Sequence, residues 1–285
     1  MKKTLLMMTF SALAAGCADN SIPQAQLPEL DRSNPLLAEW TTPHETAPFS
    51  TIELAHYEPA FDAAIACSRA EIDAIVNNPK KPSFVNTIVA LERQGELLGR
   101  VSGLFFNILE ADATDEMQEI AQRVQPKLTQ LSNDISLNPE LFARVKAVYE
   151  HPGWCLSSED KKLLEDTYKS FARSGAALSE ADKELYRQYT TELSALTLQF
   201  GQNSLAATNA FTLNIIDPAR VAELPTFVKE TLAADAKARG QKGWTVTLQA
   251  PSYIPFLTYS SDRALKEQLW RASNSRRLGG ADDNP

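Results

Sequence analysis

Most of the chemistry open to this chain of 285 residues rests on three histidines and three cysteines. His44-Glu45 begins like His-Glu-x-x-His, in which two imidazoles one helical turn apart hold zinc and the glutamate serves as base. The fifth position is Pro48, which offers no ligand, and Pro43 and Pro48 disfavour a helix there. His56 and His151 are isolated and are expected to be solvated or locally bonded. Asp282-Asp283 lies in a polar tail and reads as solvated charge. The sequence holds no Walker loop, Gly-x-Gly-x-x-Gly, Gly-x-Ser-x-Gly or Cys-x-x-Cys. The residues by themselves therefore assign no catalytic and no metal-binding position.

Cys17 has a different context. Met1-Lys2-Lys3 is a short basic region, Thr4 to Ala12 is apolar, and Leu13-Ala14-Ala15-Gly16-Cys17 follows. That is the pattern of a secretory signal peptide. Small residues directly before a cysteine make it similar to a bacterial lipoprotein signal. By that resemblance residues 1–16 are removed and Cys17 becomes the lipidated first residue, anchoring the protein in the cell envelope. Ala18 stands where an inner-membrane protein of that kind carries Asp, so the outer membrane is the expected location. The alternative is a plain secreted protein with Cys17 near its cleavage site. In an oxidising compartment Cys67 and Cys155 could pair or stay single and buried; both remain open.

Apolar residues make up 44% and charged residues 22%, which is ordinary for a globular protein. The net charge of -8 and a pI near 5.1 argue against a nucleic-acid partner. Removing Lys2 and Lys3 leaves 26 basic against 36 acidic side chains. Three cysteines exclude a disulfide scaffold.

Helices must position whatever the chain binds. The stretch Phe84 to Leu109 anchors this reading: Phe84, Ile88, Leu91, Leu98, Val101, Phe105 and Ile108 draw one apolar stripe. Glu96 and Arg100 form an i,i+4 pair on its polar face. Gly95, Gly99 and Gly103 are expected to let a neighbouring helix approach closely. Four charges interrupt the stretch, so it is not a bilayer span. Before it, residues 17–53 read as a tether and extended arm punctuated by five prolines, with Leu36 to Trp40 docking on the body.

Pro59 to Val76 is expected as a helix, with Phe61, Ile65, Ile72 and Val76 facing inward. Thr114-Asp115-Glu116 starts another, with a kink or break at Pro126. Asn138-Pro139-Glu140 combines cap, proline at the first position and acid. Further helices follow Ser158 and Ser179; the second runs to about Ala206 with Leu185, Tyr189, Leu193, Leu196 and Phe200 as its core face. Ala210 to Ile216 and Gly243 to Leu248 alternate and predict two paired strands. A helix from Pro225 to Arg239 lies between them, Pro251 to Pro255 reads as a constrained loop, and a last helix starts at Asp262. No fixed-period repeat is present.

Several segments also resemble a known family. They are His56-Tyr57-Glu58-Pro59-Ala60-Phe61; Phe84 to Glu92 with Gly95-Glu96-Leu97-Leu98, Arg100-Val101 and Phe105-Phe106; Leu131 to Ile135 with Asn138 and Leu141 to Val145; Leu196 to Phe200 with Gln202-Asn203; and Trp244 to Leu248 with Ala250 to Tyr253. Together these are similar to the N-terminal part of the zinc metallopeptidases related to thimet oligopeptidase, oligopeptidase A and peptidyl-dipeptidase, above all the last. The similarity runs from about Leu54 to Asn284. It implies a mainly α fold: residues 54–285 would form the helical N-terminal lobe of a two-lobed channel peptidase, with one short strand pair near 210–248. It also implies short peptides as substrates, release of C-terminal dipeptides, and zinc held by a catalytic half that this sequence does not contain. The end at Pro285 is then expected to be a truncation, and the segment alone to be inactive. The competing expectation is a non-catalytic helical envelope lipoprotein that binds peptides or another protein.

Overall fold

The computed structural model describes residues 21–153 and 156–276. They form two compact units divided between Thr191 and Glu192. The fold is mainly helical with one two-stranded antiparallel sheet, as expected.

In the first unit, helix α1 spans Leu54–Val76. It starts five residues before the expected Pro59. Glu53 and His56 form a reciprocal capping box that holds the extra turn, so Pro59 lies inside the helix. Phe61, Ile65 and Ile72 are buried as expected. The anchor stretch is not one helix. A π-helical segment, Phe84–Val89, leads into α2, Ala90–Arg93, and α3 begins afresh at Glu96–Ala111. Gly95 caps α3 with φ 74°, a left-handed conformation that glycine adopts without cost. The break is gripped from α1: the Glu71 carboxylate accepts the Gly95 N–H at 2.6 Å, and Ser68 Oγ donates to Gln94 Oε1 at 2.9 Å. Ile88, Val101 and Phe105 still reach the core. Phe105 meets Tyr57 and Phe61 of α1 edge-on, at 4.9 and 5.4 Å between ring centres.

Helix α4, Asp115–Ser136, runs unbroken through Pro126, where a kink or break was expected. Ion pairs from Arg123 and Lys127 to Glu58 and Asp62 hold this part of α4 along α1. Helix α5, Pro139–Glu150, opens as expected, with Asn138 Oδ1 accepting from the N–H groups of Glu140 and Leu141. Helix α6, Ser158–Arg173, is capped by Ser157. Ile72, Ile75, Ile88, Leu141, Val145 and Phe171 belong to one core cluster.

Helix α7, Glu180–Ala210, contains the division between the units. Its expected core face is exposed instead: Leu185 by 47%, Tyr189 by 66%, Leu193 by 64% and Leu196 by 42%, with Phe200 also exposed. An apolar period marks a face that wants cover, and nothing in the period supplies it.

In the second unit, β1, Thr212–Ile215, pairs antiparallel with β2, Trp244–Thr247, and Leu213 stands opposite Val246. Both strands had been expected to pair. Helix α8, Thr226–Ala238, lies between them in sequence and ends before Gly240, near the expected bounds. The expected loop at Pro251 to Pro255 is helix α9, Ala250–Tyr259. Pro251 lies in its first turn, where no N–H is needed, and buried Phe256 ties the helix to the core. Helix α10, Arg263–Asn274, is the last described element of the unit.

Gly243 leads into β2 with φ 80°, and a Cβ there would lie 2.2 Å from the carbonyl oxygen of Ile215. Gly243→Ala is therefore expected to destabilise the second unit by roughly 2–3 kcal/mol, read as a lower urea midpoint. An unchanged midpoint would mean that the strand entry can shift freely.

Asp262 caps α10, accepting from the Leu265 N–H at 3.0 Å and from Arg220 at 2.7 Å. The Arg220 guanidinium, then the backbone N–H, hold its carboxyl below the usual range. Stabilisation from a lowered carboxyl pKa is complete above the unfolded value of about 3.9 and is lost as pH falls through the folded value. Asp262→Ala should cost about 1 kcal/mol at pH 7. The gap between variant and parent should narrow below about pH 4 in denaturant titrations at several pH values.

Candidate functional site

The His44-Glu45 pair lies in a short turn, Pro43–Glu45, in which both residues have left-handed backbones, at φ 58° and 53°. This geometry cannot present two ligands from one helical face. His56 is used locally, its Nδ1 accepting the Glu53 N–H at 2.9 Å. His151 follows the last turn of α5 and is exposed. Among the described residues no group of three or more His, Cys, Asp or Glu side chains is placed to hold a metal ion. The described residues thus do not fit the zinc that the family resemblance implies. Cys67 is a free, buried thiol, and burial followed by the nearby Glu71 charge pushes it up, away from the reactive thiolate. Cys17, Cys155 and Asp282-Asp283 lie outside the described residues.

Two clefts in the first unit have distinct chemistry. One is a cleft of about 800 Å³ between α1 and α4, lined by Glu58, Asp62, Glu116 and Glu119 with Arg123. Two of its carboxylates are already engaged. Arg123 Nε donates to Glu58 at 2.9 Å, and Lys127 Nζ donates to Asp62 at 2.6 Å. The bond to Asp62 holds the Lys127 ammonium above its usual range. This exposed ladder joins two helices, and Glu58 and Asp62 already have partners within it.

The second cleft, about 470 Å³, is rich in hydroxyl groups and small residues. Gly99 and Ser102 come from α3, Ser132 and Ser136 from α4, and Ser170 from α6, with Phe171 among the apolar lining. No histidine lines it, so no serine there has an imidazole base to activate it. What the cleft can do is bind: hydroxyls offer donors and acceptors to a polar backbone beside apolar contact surface. These serines are scattered over three helices and become neighbours only on folding, so no local pattern marks the cleft. The close helix approach expected at the spaced glycines is absent at Gly99 and Gly103. A Cβ at Gly99 or Gly103 would meet nothing within 4 Å, so neither holds a neighbouring helix close.

The segments that carried the family resemblance fall in both units: those from His56 to Val145 in the first, Leu196 to Asn203 and Trp244 to Tyr253 in the second. Comparison with known proteins agrees with them. The chain is 40% identical over 248 residues to the dipeptidyl carboxypeptidase of Escherichia coli (strain K12), covering 85% of this chain and 36% of that protein. It is 37% identical over 246 residues to the dipeptidyl carboxypeptidase of Salmonella typhimurium, covering 86% and 36%. It is 29% identical over 245 residues to the oligopeptidase A of Salmonella typhimurium, covering 86% and 35%. No protein-family model matches the chain.

The chain belongs to this peptidase family and corresponds to its N-terminal part. Within the family its identity to the dipeptidyl carboxypeptidases, 37–40%, exceeds the 29% shared with that oligopeptidase A. It spans about a third of the length of the curated relatives it matches.

Because Gly99 and Gly103 stand inside α3 with open space around them, Gly99→Ala and Gly103→Ala should each stabilise the chain by up to about 1 kcal/mol. Urea unfolding checks this. A lower midpoint for either variant would show that the missing side chain serves a close contact.

Proposed function

We propose that the chain is the N-terminal portion of a zinc metallopeptidase that hydrolyses short peptides and releases dipeptides from their C-termini. The observation that carries this is the 40% identity to a dipeptidyl carboxypeptidase, sustained over 85% of the chain. The segment would form the wall that restricts the channel to short, unfolded peptides. The hydroxyl-lined cleft would offer such a peptide hydrogen-bonding groups beside apolar contact surface. Zinc and the groups that activate water would come from the catalytic half, since the described residues do not fit a metal site. That half is also the natural cover for Leu185, Tyr189, Leu193 and Leu196 on α7.

We further propose that Cys17 is lipidated and holds the protein in the bacterial envelope, at the outer membrane. This part rests on the N-terminal residues alone. Relatives include a probable cytosolic and an organellar oligopeptidase A, both of Arabidopsis thaliana, so family membership does not supply the address.

The coding frame beyond Pro285 is the direct test. It should continue to a His-Glu-x-x-His and a further Glu downstream. The complete product should release dipeptides from short peptides, lose that activity with a chelator and regain it with zinc. The purified 285-residue chain should cleave nothing once contaminating peptidase is excluded. A stop codon directly after Pro285 would overturn the peptidase reading and favour a peptide-binding or protein-binding lipoprotein.

A further inference from the structure

The stretch expected to be a tether is bound to the body almost from its first described residue. Ile22 packs against the core cluster that includes Ile75 and Ala90, and Ile22 to Ala25 line a cleft with Ala90 and Arg93 of α2. Farther along, Asn34 Nδ2 donates to the His56 carbonyl at 2.8 Å, and Leu36 and Leu37 are buried. Arg100 then locks the arm. Its Nη2 donates to the carbonyls of Leu36 and Ala38 at 2.9 and 3.2 Å, and its guanidinium lies 4.8 Å from the centre of the Trp40 ring. Arg32 Nη1 adds a bond to the Leu37 carbonyl at 2.6 Å.

This changes the reach of an anchor at Cys17. A free linker over residues 17–53 would let the body wander at a root-mean-square distance of roughly 33 Å. With the arm docked from Ile22, five residue steps separate it from Cys17. A fully extended chain then spans at most about 18 Å.

We infer that the first unit is strapped against the membrane surface, the edge formed by Ile22 and α2 facing phospholipid headgroups. The inference rests on the reading of Cys17 as the lipidated residue, and adds that the chain works at the bilayer rather than on a long leash.

The test uses the acylated chain in vesicles of phosphatidylethanolamine and phosphatidylglycerol. A donor dye on exposed residue 92, introduced by Glu92→Cys with Cys155→Ser, reports energy transfer to an acceptor-labelled headgroup. A second protein carries 20 Gly/Ser residues inserted between Asn20 and Ser21, upstream of every described contact, adding a mean span of roughly 25 Å. Transfer should be strong in the first protein and fall several-fold in the second. Equal, weak transfer in both, with acylation of Cys17 verified by mass spectrometry, would overturn the strap and leave the anchor standing. Absence of an acyl group on Cys17 of the protein made in a bacterial envelope would overturn the anchor and the strap with it.

Discussion

A half-buried guanidinium needs acceptors in place of the water it loses, and Arg100 obtains two of them from outside its own helix. Burial, followed by the neighbouring Arg32 charge, lowers its pKa, but an arginine stays charged and cannot relieve its desolvation by losing the proton. Two backbone carbonyls of the arm and the face of Trp40 meet part of that demand, while Nε has no hydrogen-bond partner among the described residues. The same contacts keep Leu36 and Leu37 in the core and fix where the chain enters α1. Arg144 plays a matching part after α1, donating to the carbonyls of Asn78 and Lys80 and to Asn86 Oδ1. In both places a cation from a later helix pins irregular backbone that has no ladder of its own, bonding carbonyls that lack a backbone partner there.

Signals confined to a few adjacent residues were legible in the sequence. Asn138-Pro139-Glu140 carries its whole mechanism in three side chains, and the alternation in 212–215 and 244–247 needs only a partner of like period. Features whose cause lies elsewhere in the chain were not legible. The break at Gly95 depends on Glu71, more than twenty residues earlier, to receive the freed N–H. The helix at 250–259 survives two prolines because Phe256 is buried and the first turn needs no N–H from Pro251. The early start of α1 was missed because Glu53 and His56 are less familiar capping partners than Ser with Glu. Arg100 itself looked like half of a surface pair with Glu96, because periodicity shows which face is polar and not what docks there.

The candidate site divides in the same way. Family membership was legible because it is spread over many short segments in fixed order, and no one of them performs chemistry. The hydroxyl-lined cleft was illegible because Ser102, Ser132 and Ser170 become neighbours only after three helices have packed. Conversely, the one pair that resembled a chemical motif, His44-Glu45, is held in left-handed backbone that no metal-binding helix could use.

Helix α7 shows what the period of a sequence measures. Leu185, Tyr189, Leu193 and Leu196 repeat at helical spacing as strictly as the buried positions of α5, yet they remain about half exposed. Completing their burial would contribute roughly half of the 1.5–3 kcal/mol per side chain that full burial gives. Over four residues that is roughly 3–6 kcal/mol, a large share of the 5–15 kcal/mol by which a domain is stable. Under the proposed function such a face would serve as an interface, because an apolar row left in water gains nothing from its regularity. On the proposed reading its occupant is the catalytic half of the same chain. The cover that stabilises the long helix would then also bring the chemistry to the peptide.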